Sequence, residues 1–144
     1  VHDVTYPSRK LTLQELVEWL RSRLDGRIPP EAMVHFVGYS MGGLLARAYI
    51  HRTRPARLGR VVQIAPPNGG SEVADALREW PLFRWLYGPA GQQLGTDQRA
   101  IAACFGPVDY PLGIIAGDRS LDPFCGRFLP APHDGKVSVA RTTC

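Results

Sequence analysis

Apolar positions along this chain follow two periods. Leu13, Leu16, Val17, Leu20 and Leu24 recur at helical spacing behind a Thr12/Glu15 capping box, and Gly26 with the Pro29-Pro30 pair closes that helix. Ahead of it, Val1 to Thr5 reads as an extended strand that the Tyr6-Pro7-Ser8 turn ends. Met33 to Val37 is a continuous apolar run of strand length that stops at Gly38. A second helix is expected from near Gly42, burying Leu44, Leu45, Ala48 and Tyr49, with Pro55 as its stop. Val61 to Ala65 reads as the next strand and runs into Pro66-Pro67-Asn68-Gly69-Gly70. Ser71 then looks like an N-cap, with Glu72 in the first turn and Val73, Ala76, Leu77 and Trp80 facing inward until Pro81. No periodicity assigns Leu82 to Phe105. Leu112 to Ala116 is the last buried strand, followed by a loop rich in Pro, Gly and Asp and the short run Lys136 to Ala140.

Strands and helices that alternate, with strands apolar throughout, predict an α/β protein: a mostly parallel sheet with helices on both faces. At 144 residues the chain has the length of one domain, and 44% hydrophobic with 21% charged residues is globular composition. The net charge of +4 is spread along the chain. Its tightest basic stretch, Arg52 to Arg60, is expected to serve a helix C-terminus and a solvated loop, not nucleic acid. Cys104, Cys125 and Cys144 form no C-x-x-C and no metal-ligand spacing, so neither a disulfide framework nor a metal or other cofactor is expected, and the compartment stays open. No apolar run reaches the roughly 18 residues of a membrane span.

The chemistry concentrates at Gly38-Tyr39-Ser40-Met41-Gly42-Gly43, a G-x-S-x-G motif between a predicted strand and a predicted helix. A serine at so sharp a turn presents its hydroxyl to substrate. The turn requires glycine on both sides, and the helix N-terminus offers the Met41 N–H as an oxyanion donor. The plainer alternative is a serine that only caps the helix.

The segment Val34-His35-Phe36-Val37-Gly38-Tyr39-Ser40-Met41-Gly42-Gly43-Leu44-Leu45-Ala46-Arg47 resembles the nucleophile elbow of α/β-hydrolase lipases and esterases. These include the bacterial triacylglycerol lipases and the GPI inositol-deacylase-like branch. Ile64 to Ser71 resembles the T-P-[HN]-x-G-S loop of the same lipases, with Ala65 where they carry threonine. The resemblance implies a partial α/β-hydrolase fold and acyl transfer to Ser40, acting on a small-molecule or lipid ester, with transient contact to a membrane surface. Hydrolysis, transfer to another acceptor and amide cleavage are all compatible with it.

In this fold the acid and then the histidine follow the serine along the chain. Asp118, Asp122 and Asp134 qualify as acid. Asp134 is favoured because Asp134-Gly135-Lys136-Val137 resembles the D-G-x-V segment of bacterial lipases. No histidine follows Asp134. His2 and His35 lie in or beside predicted strands, and His51 lies far along the nucleophile helix. That leaves His133 as the alternative base, in the order Ser40, Asp122, His133. The family's His-Gly loop, source of the second oxyanion donor, is not seen before Val1 either. The expectation is therefore a single incomplete domain over residues 1–144, with the base and one oxyanion donor outside the chain. A second reading is a non-catalytic relative that only binds a ligand or partner.

Trp80-Pro81-Leu82-Phe83-Arg84-Trp85-Leu86-Tyr87 gathers aromatic residues in one place. Residues 80–106 are expected to form either a lid- or cap-like excursion or a helix packing Trp80, Phe83 and Leu86 against the sheet.

Overall fold

The computed structural model describes the chain except for residues 78, 95–96, 98–102, 121–126 and 128. For residues 82–84, 86 and 87 it describes the backbone alone. Helix α1 (Leu13–Leu24) starts where its capping box predicts. Thr12 Oγ1 accepts the Glu15 N–H at 3.3 Å, and the Glu15 carboxylate accepts the Thr12 N–H at 2.8 Å. All the periodic leucines and Val17 are buried.

Strand β1 (Val34–Tyr39), helix α2 (Met41–Thr53) and strand β2 (Leu58–Ile64) follow, and strand β3 (Leu112–Ile115) comes last. The strands pair in parallel in the order β1-β2-β3. The register aligns Phe36, Val61 and Leu112 in one row, and Gly38, Gln63 and Ile114 in another. These rows face α2, against which α1 packs, and the main core lies between them. The alternate rows point the other way. There Val37 is 74% and Tyr39 63% exposed, and Ile115 is exposed beside them. The fold is thus the expected α/β class, with a parallel sheet and helices.

Two expectations are corrected. Val1 to Thr5 joins no ladder. A strand needs a partner edge, and here a groove of about 760 Å³ separates Val1 and Val4 from Phe36 and Gly38 of β1. Helix α3 (Glu72–Leu77) buries Val73, Ala74 and Leu77, leaving Ala76 exposed and Trp80 more than half exposed. Its apolar side meets Leu94 and Leu129 in a small separate cluster, and that contact sets which residues turn inward. The run Lys136 to Ala140 makes only the single bridge His133–Ser138 before turning into helix α5 (Val139–Thr142). Asp134 is the cause, because its side chain claims the next backbone N–H groups and closes a turn.

Helix α4 (Pro81–Gln92) occupies part of the segment that periodicity left unassigned. It has proline at its start and breaks at Gly88, where the backbone lies flush against Arg9. Trp80 and Trp85 are exposed, so Trp80 does not pack inward; the side chains of Phe83 and Leu86 lie outside the described residues.

Replacing Thr12 with alanine removes the cap and should cost about 1 kcal/mol, read as a lower melting temperature. The hydrogen bonds from Thr12 hold the Glu15 carboxyl below its usual range. Its contribution is therefore present at neutral pH and should fade as pH falls through the folded-state value. A melting-temperature series in acid should show a smaller wild-type-to-Thr12→Ala gap than at pH 7.

Candidate active site

Parallel pairing brings the carboxyl ends of all the strands to one edge. The Ser40 N–H donates to the Ile64 carbonyl and the Ala65 N–H to the Ile115 carbonyl, each at 2.7 Å. Ser40 sits at the first of these ends with φ 51° and ψ −125°, a conformation L-residues adopt only when the surroundings impose it. The surroundings here are glycine. A Cβ at Gly38 would lie 2.5 Å from the Gly43 nitrogen, so α2 crosses the end of β1 with no room for a side chain. A Cβ at Gly43 would lie 3.1 Å from Gln63 Cγ on the neighbouring strand.

Although Ser40 precedes α2, its side chain makes no capping hydrogen bond. The reading of this serine as a mere helix cap therefore fails. Met41 is the first residue of α2, where helix geometry leaves the backbone N–H without an intrahelical acceptor. Tyr6 packs its hydroxyl over Gly42, and burial pushes its phenol up, so a neutral group lies beside the elbow at neutral pH.

Asp134 reaches the same edge from the far end of the chain. It packs on Gly117, just past β3, where an added Cβ would meet Asp134 Cβ at 2.9 Å. Asp134 Oδ1 accepts the Lys136 and Val137 N–H groups, each at 2.8 Å. Two strand spacings, roughly 10 Å, separate the ends of β1 and β3. Asp118 is exposed nearby. Asp122 lies outside the described residues.

Three of the four histidines go elsewhere. His35 sits on the exposed sheet face, its Nδ1 accepting the Arg60 N–H at 2.9 Å, and His2 lines the groove beside β1. His51 packs against Gly106 at the far end of α2, roughly 16 Å along the axis from Ser40. His133 Nδ1 accepts the Gly135 N–H at 3.1 Å. Among the described residues no histidine is hydrogen-bonded to Ser40, Asp118 or Asp134, and no three His, Cys, Asp or Glu residues are grouped to hold a metal. Nor is any described helix long and apolar enough to cross a membrane.

A buried polar network supports the site, and the hydrophobic pattern gave no sign of it. Arg47, on α2, is 5% exposed and has no carboxylate partner among the described residues. Its guanidinium donates to Asn68 Oδ1 at 2.8 Å, the Gly106 carbonyl at 2.9 Å and Cys144 Sγ at 3.4 Å, over the ring of Phe105. Asn68 donates in turn to Gln63 Oε1 and to the Thr142 carbonyl, both at 2.7 Å. Gln63 Nε2 donates to the Gly43 carbonyl, also at 2.7 Å. Glu72 Oε1 accepts from Ser138 and Arg141, each at 3.1 Å, joining α3 to α5. The only sequence signal was position, since Arg47 ends the elbow segment and Asn68 occupies the loop motif. Elsewhere the arginine-rich stretch is engaged within the chain: Arg52 pairs with Glu18, Arg54 with Asp109, and Arg57 donates to the Glu31 carbonyl.

No protein-family model and no curated protein matches this sequence. Solved structures do match. The mature lipase BlEst2 of Bacillus licheniformis superposes with a TM-score of 0.71 at 17% identity, covering 96% of this chain and 64% of that one. Its propeptide form gives 0.66 at 19%, covering 96% and 35%. The phospholipase PlaB of Legionella pneumophila gives 0.68 at 14%, covering 99% and 36%. The chain therefore shares its α/β fold, a parallel three-stranded sheet with helices, with these lipase and phospholipase structures. The chain spans less than two thirds of the length of each of these structures.

Gly38→Ala should be the most damaging single-methyl change at this edge. The added carbon meets backbone, which cannot rotate away, so a loss of about 3 kcal/mol is expected in chemical denaturation.

Proposed function

We propose that this chain carries the nucleophile of a serine hydrolase acting on carboxylic ester bonds. The observation that carries the reading is Ser40 itself: a strained, glycine-enclosed serine at a strand-to-helix turn, its hydroxyl unspent on capping the helix. Its Oγ attacks the acyl carbon as a base takes its proton. The tetrahedral oxyanion is held by the Met41 N–H, and collapse expels the alcohol to leave an acyl-serine that water then cleaves. Asp134 is the acid, in preference to Asp118 and Asp122, because it is fixed at the same sheet edge by two backbone N–H groups. The base is not His2, His35 or His51, which the fold holds away from Ser40, and His133 stays the alternative base within the chain. The substrate class is a lipid or small ester, in keeping with the lipase and phospholipase of similar fold; the GPI inositol-deacylase-like branch is supported by the elbow sequence alone. Helix α4 is the described part of the lid- or cap-like excursion, a role for which the exposed Trp80 and Trp85 are the support.

A second reading, a non-catalytic relative that binds without turnover, is favoured by one observation: no described histidine meets the serine or a candidate acid. A fluorophosphonate probe separates the two in the chain as it stands, with imidazole added as a diffusible base. The hydrolase reading expects labelling mapped to Ser40, faster with imidazole and absent in Ser40→Ala. Labelling of Ser40 no faster than that of exposed serines, with or without imidazole, sinks it. The lid has its own check: amide exchange across 81–92 should quicken in detergent while that of α2 stays constant.

A further inference from the structure

We propose that Asn68 is a positioning residue that braces the Asp134 turn against the nucleophile helix. The proposal rests on the reading of Ser40 and Asp134 as parts of one site. Asn68 is 2% exposed and uses its whole amide. Its oxygen takes a guanidinium hydrogen bond from Arg47 of α2, and its nitrogen gives one hydrogen bond to Gln63 and one to the Thr142 carbonyl. Gln63 continues the chain to the Gly43 carbonyl, three residues past Ser40. Thr142 belongs to α5, which begins directly after the Asp134 turn. One unbroken line of buried hydrogen bonds therefore runs from the first turn of the elbow helix to the element that follows the acid.

No other residue type of this size does the same. Aspartate would keep the Arg47 bond and strengthen it, but it has no donor for Gln63 or Thr142. Leucine would leave the buried guanidinium, the Gln63 amide and the Thr142 carbonyl each short of a partner. Arg47 adds a second arm through the Gly106 carbonyl, so the segment leading into the start of β3 is fastened to α2 as well. The brace thus ties both the element that follows the acid's turn and the entry to β3 to α2.

The test is site-resolved amide exchange and proton shifts in Asn68→Ala and Asn68→Asp, each with a thermal melt. The reporters are the Lys136 and Val137 amides, which bond Asp134 Oδ1. Positioning expects these two to exchange about tenfold faster and to shift in both variants, while Val61, which bonds the Pro111 carbonyl, and Val62 in the central strand keep their protection. Asn68→Asp, with its new ion pair to Arg47, should melt closer to wild type than Asn68→Ala and still show the loosened turn. Unchanged reporters in both variants overturn the proposal. So does acceleration spread evenly over turn and strands, which marks a global loss of stability. Exchange is read without turnover, so the two readings fail separately. An unlabelled Ser40 with a loosened turn removes the catalytic reading and leaves a structural brace. A labelled Ser40 with an unmoved turn removes the brace alone.

Discussion

The contact between Gly38 and Gly43 is the constraint on which the rest of the site depends. Backbone meets backbone there with no space for a single carbon. That approach forces the chain through Ser40 at positive φ and starts α2 across the end of β1. It also sets Gln63 of β2 beneath the first turn of the helix. Any side chain at either glycine would push α2 outward, relax the serine and open the row of polar groups below it.

From that crossing the architecture follows in layers. Parallel strands stack their carboxyl ends, so the serine after β1 and the aspartate resting past β3 share an edge although they are far apart in the chain. The polar groups that join these ends are buried, and the buried Arg47 guanidinium is stabilised there by its hydrogen bonds to one carbonyl, one amide and one thiol. Similarity to the lipases at 14–19% identity fits this picture. A backbone-to-backbone crossing demands glycine at a few positions and leaves most others free to vary.

Much of the fold was legible because local physics decides it. The Thr12/Glu15 box fixes where α1 begins, and its leucine stripe fixes the buried face. The apolar runs of β1, β2 and β3 lie within a few residues of where continuous hydrophobicity puts them. Legibility failed where a partner decides the outcome. Val1 to Thr5 has strand chemistry but meets a groove in place of an edge. Ala74 is buried instead of Ala76 because the short α3 leans on Leu94 and Leu129.

The sequence by itself determined the sharp strand-to-helix turn at Ser40, since G-Y-S-M-G-G stands between an apolar run and an amphipathic stretch, and it determined the α/β class through the two hydrophobic periods. Only the tertiary structure decided that Ser40 does not cap its helix, that Asp134 leans on Gly117 at the same edge, and that Arg47, Asn68 and Gln63 form a single buried network. The physical reason is range. Capping, periodicity and glycine turns act over a few residues and are written in consecutive letters. A hydrogen bond from Asn68 to the Thr142 carbonyl exists only once the sheet has brought distant segments together.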